Sequence, residues 1–165
     1  MGYLRGRFLL VLVLGVILTS CSGGGGGSSY NFQGRWLYEA VVTASSVPGV
    51  RPGDRALDIL FLDQEGRNLS GFFASIPVMV MEGNCDPGAR TFTIAGDLEG
   101  VTTTLAGIGS DETTLTGTMV MTGSGRRLEA AWTATLGTRA LSAVAQPPQV
   151  ERPGMGHILG LLAGR

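Results

Sequence analysis

The side chain that most often works as a general base at neutral pH is histidine, and this chain has one, His157. It lies beyond a Pro- and Gly-rich stretch near the C-terminus, where a Ser-His-Asp arrangement would lack a rigid frame. Of the two cysteines, Cys85 precedes Asp86-Pro87-Gly88 and reads as a small hydrophobe beneath a turn, with a redox thiol or an intermolecular disulfide as the functional alternatives. Asp63-Gln64-Glu65-Gly66-Arg67-Asn68 offers oxygen ligands suited to a hard cation, but it lacks calcium-loop spacing and a terminal bidentate Glu, and reads as a hairpin turn. Asp97 and Glu99, two apart on one predicted strand, imitate a glycosidase pair without any second feature to support it. Arg126-Arg127, which could meet a lipid headgroup, reads by default as an exposed hairpin pair. The glycine run 23–27 lacks the preceding strand, following helix and Lys that a phosphate cradle needs. No catalytic residue, metal site or cofactor is therefore assigned, and the chain is expected not to be an enzyme.

Composition narrows the partners. The 165 residues carry 12 basic side chains, all Arg, against 13 carboxylates, for a net charge of -1. That balance argues against binding a phosphate backbone, so nucleic acid is not an expected partner.

The N-terminus reads as an address. Arg5 and Arg7 precede the apolar run Phe8–Leu18, eleven residues that span only about 16 Å as a helix. A resident membrane span needs ~20 residues, so a charged start and a short apolar run describe a secretory signal. Leu18-Thr19-Ser20-Cys21 closes that run and resembles the lipobox of bacterial lipoproteins. The resemblance implies cleavage between Ser20 and Cys21 and a covalent lipid on Cys21, which becomes the first mature residue. It also implies membrane lipid as a partner and a lipid-anchored place in the bacterial cell envelope. Ser22 after the lipidated Cys is similar to the outer-membrane sorting choice, on the periplasmic face or the cell surface. Residues 22–29, Ser-Gly-Gly-Gly-Gly-Gly-Ser-Ser, have no side chain to bury and read as a tether. Its root-mean-square span is about 15 Å and its limit near 28 Å.

The chain thus divides into a signal peptide (1–20), lipidated Cys and tether (21–29), a folded body (30–137) and a Pro/Gly-rich tail (138–165). Within the body, Leu128, Ala130, Trp132, Ala134 and Leu136 share one face of a period-two pattern. Leu115, Gly117, Met119 and Met121 share another. Eight strands are predicted, near 35–44, 56–63, 68–74, 77–82, 90–95, 97–108, 114–121 and 128–136, with no helix after the signal. Eight short strands in sequence escape exposed edges by closing into an antiparallel up-and-down barrel; a two-sheet β-sandwich is the alternative. Gly34-Arg35-Trp36, Leu69-Ser70-Gly71, Leu115-Thr116-Gly117-Thr118 and Ala131-Trp132-Thr133-Ala134 resemble strand signatures of the calycin barrels, the lipocalin and avidin group. That resemblance implies an all-β, calycin-like barrel in which Trp36 packs across one end. No second lipocalin motif and no clear set of avidin's biotin-contacting residues accompany it.

Trp36, Tyr38, Phe61, Phe73, Phe92 and Trp132 are predicted to point inward, as core filling or as the wall of a small apolar pocket. Two functions follow. One is a non-catalytic envelope lipoprotein whose barrel binds a small apolar ligand or an envelope partner. The other is a structural or assembly accessory with a filled core and a protein-interaction surface. After Leu136 the pattern stops, and the tail, including His157-Ile158-Leu159-Gly160-Leu161-Leu162, is expected to fray, with docking on the barrel or one or two helical turns as the alternative.

Overall fold

Alternating side chains begin at Gly34, and from there the backbone runs as strands with little interruption. The computed structural model describes residues 29–137 and 155–164, so the expected signal peptide, lipidated Cys21, most of the expected tether and the first part of the tail lie outside it. Its strands are β1 (Gly34–Ser45), β2 (Arg55–Glu65), β3 (Asn68–Phe73), β4 (Ile76–Asp86), β5 (Thr91–Leu98), β6 (Val101–Asp111), β7 (Thr114–Gly123) and β8 (Arg126–Leu136). Each pairs antiparallel with the next, and β8 returns to β1 along a ladder from Trp36↔Leu136 to Ser45↔Leu128. The sheet is a closed eight-stranded barrel and not a sandwich. Closure leaves no edge strand to template aggregation.

Turn chemistry sets the strand ends, and two predicted boundaries move. The break expected near Gly96 falls instead at Glu99-Gly100, where both residues have positive φ (54° and 79°). Ser124-Gly125 repeats the device (50° and 74°), matching the right-handed twist of the flanking strands. Gly96 stays inside β5 because that strand passes close under β4: a Cβ there would lie 2.5 Å from the Val80 carbonyl oxygen. Glu99 consequently leaves the strand face it was expected to share with Asp97, whose carboxylate accepts from the Thr102 hydroxyl. Strand β4 also runs on through Asn84 and Cys85 to Asp86, past its expected end near residue 82.

The tail supplies the main correction. Residues Met155–Leu162 form a helix, α1, whose Met155, Ile158, Leu159 and Leu162 are buried. It packs at the barrel end that carries Ser75 and the β7–β8 turn. Its Gly156 amide donates to Ser75 Oγ at 3.3 Å, and Arg126 Nη1 donates to the Leu161 carbonyl. Arg126 is therefore a clamp on α1; Arg127 behaves as expected and pairs with the exposed Glu129 at 2.7 Å.

Candidate functional site: the barrel interior and its outer face

The inward positions of β1 are Trp36, Tyr38, Ala40 and Val42, all at most 4 % exposed. Five of the six predicted aromatics do meet inside. The Tyr38 ring lies 4.9 Å from Phe73 and 5.5 Å from Trp132, and Phe92 lies 6.0 Å from Trp132. Trp132 fits because Gly107 and Gly117 face each other across β6 and β7 and leave room for its ring. A Cβ on Gly117 would come 2.6 Å from Trp132 Cζ2 and 2.0 Å from the Ala106 carbonyl oxygen. Phe61 is the exception. It stacks at 4.9 Å on its cross-strand partner Phe72, and both are only half-buried, on the outer face. The inward phase of β2 belongs to Ala56, Leu60 and Leu62.

Both barrel ends are closed by segments that period-two reading missed. At the N-terminal end, fully buried Phe32 packs edge-on against Phe92 at 5.1 Å, and its carbonyl accepts from Trp36 Nε1 at 2.9 Å. The Phe32 amide donates to Gln64 Oε1 at 2.8 Å. Tyr30 follows as an outer layer, its hydroxyl donating to the Asp111 carbonyl at 2.7 Å and its ring lying under the Arg90 guanidinium. Burial, with Asp111 nearby, raises the Tyr30 pKa. At the other end α1 is the plug. Beneath it the lining is methionine: Met79, Met81, Met119 and Met121 of β4 and β7, with Met155 of α1, are each at most 1 % exposed. Their alternation at 79/81 and 119/121 is a period-two signal that the sequence carried.

Three polar groups sit in this interior with poor or no partners. Tyr38 OH reaches only Met119 Sδ, at 3.5 Å, and full burial followed by the nearby Asp58 carboxylate pushes its pKa well up. Thr103 Oγ1 and Trp132 Nε1 are buried with no hydrogen-bond partner. Asp58 itself sits near the α1 end, accepting from Ser75 N and Oγ, so that Ser75 links a strand carboxylate to the first turn of the helix.

Other chemistry is sparse. Cys85 is buried with its thiol 3.8 Å from the Gly66 carbonyl, and desolvation raises its pKa, as suits the small hydrophobe expected there. A shallow surface groove lined by Asp63, Glu65, Asn68, Ser70 and Glu82 is acidic. Among the described residues no cluster of three His, Cys, Asp or Glu side chains is placed to hold a metal ion. His157 lies exposed on α1.

The outer face is uneven. The exposed large hydrophobics are Leu37, Leu57, Val78, Val80 and Ile108, and the first four stand on β1, β2 and β4. Ile59, Phe61 and Phe72 join them. Val78 is 73 % exposed and lies in Pro77–Val80, a stretch with no register partner in either β3 or β5. Elsewhere the outside is Thr-rich and charged. A membrane-spanning barrel has the opposite polarity, apolar outside and polar within. No family model matches this chain, and no curated protein matches it.

Proposed function

We propose that the chain is a lipid-tethered, non-catalytic protein of the bacterial envelope whose calycin-like barrel acts as an interaction module, presenting its outer face to an envelope partner. The observation that carries this reading is the pairing of a doubly plugged interior, lined by buried apolar side chains, with an apolar outer strip on β1–β4. Inside, Trp132 and Phe92 pack closely over Gly107. The hydrophobic surface left over is outside and on one side, as a docking face requires. The anchor rests on Leu18-Thr19-Ser20-Cys21, which lies outside the described residues. Two or more acyl chains on Cys21 would hold the barrel stably at the membrane. The N-terminal plug at Tyr30 then sits within tether reach of the lipid, about 28 Å at most. Fold likeness to calycins transfers no ligand.

Two measurements test it. Radioactive palmitate should label the full chain, and a Cys21→Ala chain that still labels would refute the anchor. A photo-crosslinking residue at Leu57 should capture a protein in the native envelope where the same residue at Ile108 does not; equal or absent capture at both would end the interaction reading.

One feature favours a second reading, a small apolar ligand held beneath α1. The methionine lining is adaptable, and the Thr103 hydroxyl is buried without a partner. Native mass spectrometry of protein purified from its own envelope decides this: a retained apolar molecule supports it, and a bare mass in the mild ionisation regime removes it.

A further inference from the structure

The register places charges around the apolar strip in a self-complementary way. On β1 the outward residues Arg35, Leu37 and Glu39 stand opposite Phe61, Ile59 and Leu57 of β2, and Val41 stands opposite Arg55. Two residues beyond Phe61 comes Asp63. Reading along the strands, the centre is the row Leu37–Ile59. A carboxylate (Glu39) and a guanidinium (Arg35) lie equidistant on either side of it along β1. Along β2, Leu57 mirrors Phe61 and Arg55 mirrors Asp63.

We infer that this face binds a second copy of the same chain, with the two barrels antiparallel about a twofold axis through the Leu37–Ile59 row. The inference rests on the interaction-module reading and names its partner. A twofold axis lying in the interface and perpendicular to the strands reflects each strand end for end. Leu37 and Ile59 then meet their own counterparts, and Leu57 meets Phe61. Arg55 meets Asp63, and Arg35 meets Glu39. The parallel alternative, with the axis along the strands between β1 and β2, sets Arg35 on Phe61 and Glu39 on Leu57. That arrangement desolvates charges against apolar groups, which is costly. The pattern of charges therefore selects the antiparallel pair. Within one copy Arg55 already touches Glu39 at 2.8 Å, so the contact joins exposed charges into a larger network.

The expected strength follows from area. Eight residue steps at ~3.3 Å, over three to four strands ~4.8 Å apart, give a footprint on the order of 400–500 Å² per copy. Standard stable interfaces bury about 800 Å² per partner. The dimer is thus weak in dilute solution and depends on concentration, which a shared membrane would raise.

Cysteine cross-linking of the full chain in mild detergent tests the geometry. Leu37 is 39 % exposed and lies on the proposed axis; Ile108 is 46 % exposed and lies on β6. Under mild oxidation, Leu37→Cys should give a covalent dimer about tenfold faster than Ile108→Cys. Asp63→Arg should slow the Leu37→Cys reaction about fivefold, since each dimer contains two such contacts. Adding Arg55→Asp should restore it. Both substitutions are at exposed sites, and unchanged melting temperatures would confirm that the fold is intact. Equal rates at Leu37 and Ile108, or a double charge swap no faster than the single one, would overturn the proposal. A fluorophore on Leu37→Cys that reports insertion into phosphatidylcholine vesicles, without dimers, would assign the face to a lipid surface and also overturn it. Capture of a different envelope protein from Leu57 under those outcomes would leave the module reading standing while the dimer falls.

Discussion

Adding one methyl group at Gly107 tests whether the barrel centre is packed to its limit. A Cβ there would lie 2.6 Å from Phe92 Cε1 and 2.7 Å from Trp132 Cη2, both ring atoms, with no backbone atom among its nearest neighbours. The rings must therefore move for Gly107→Ala to fold, and overpacking of this kind costs about 1–3 kcal/mol. Trp132→Phe removes one of the two rings that the methyl strikes, while Phe92 stays. Its own cost should be about 1–2 kcal/mol of lost packing, with no hydrogen-bond loss added, because Trp132 Nε1 has no partner. In the double variant Phe92 can shift with the methyl into the space Trp132 vacates, and the two costs should fail to add by about 1 kcal/mol. Gly117→Ala is the control. Its Cβ would also lie 2.6 Å from Trp132 Cζ2, but its closest approaches include the Ala106 carbonyl oxygen at 2.0 Å, a backbone clash that no change at Trp132 relieves, so most of its cost should remain in the pair. Urea unfolding followed by circular dichroism measures all five variants, with constant m-values confirming a shared two-state transition. Additivity of Gly107→Ala with Trp132→Phe to within about 0.5 kcal/mol would refute the packed-centre argument.

Further outcomes follow from the same geometry. Phe73→Ala, inside, should cost about 3–5 kcal/mol, whereas Phe61→Ala, outside, should cost well under half of that; comparable values in urea melts would place Phe61 inward after all. Burial raises the Cys85 thiol, so at pH 8 its reaction with an aromatic disulfide reagent should track unfolding; a rate equal to that of free cysteine would contradict its burial. Asp86 and Asp111 are lowered, first by backbone amides of Ala89 and Thr113 respectively. Carboxylates with depressed folded-state pKa contribute stability that is present above the ordinary value of 3.8 and is lost as pH falls below it. The melting temperature should accordingly drop between about pH 4 and about pH 2, and the drop should shrink in an Asp86→Asn, Asp111→Asn chain. Leu159→Asp should unseat α1 and raise binding of an apolar dye several-fold; unchanged dye binding would mean that the helix does not cover the methionine-lined end.

Much of the wall was legible because a strand's side chains alternate strictly, so residues sharing a face can be read off by twos. The faces of β7 and β8 came out nearly whole: Leu115, Met119 and Met121, and Leu128, Ala130, Trp132 and Ala134, are buried, while Gly117 and Leu136 are only partly so. Strand β2 shows where this stops. Both of its faces are apolar, with Ala56, Leu60 and Leu62 on one and Leu57, Ile59 and Phe61 on the other. Alternation says that the two sets part company, but only the register with β1 and β3 decides which set turns inward, and Phe61 went outside. Gly96 and Glu99 were confused for a related reason: glycine signals a turn and a close strand crossing equally, and the crossing under Val80 exists only in three dimensions.

The sequence by itself determined an eight-strand antiparallel body, because period-two patterning and turn residues act over a few positions. It also carried the lipobox-like tetrapeptide before the glycine tether. Tertiary structure decided closure through the β1–β8 ladder, the outward side of β2 and the two end plugs. Helix α1 has only eight residues, two of them Gly156 and Gly160, too short and too flexible to hold a helix alone. Its helical form depends on burying Met155, Ile158, Leu159 and Leu162 against a barrel that local sequence cannot supply.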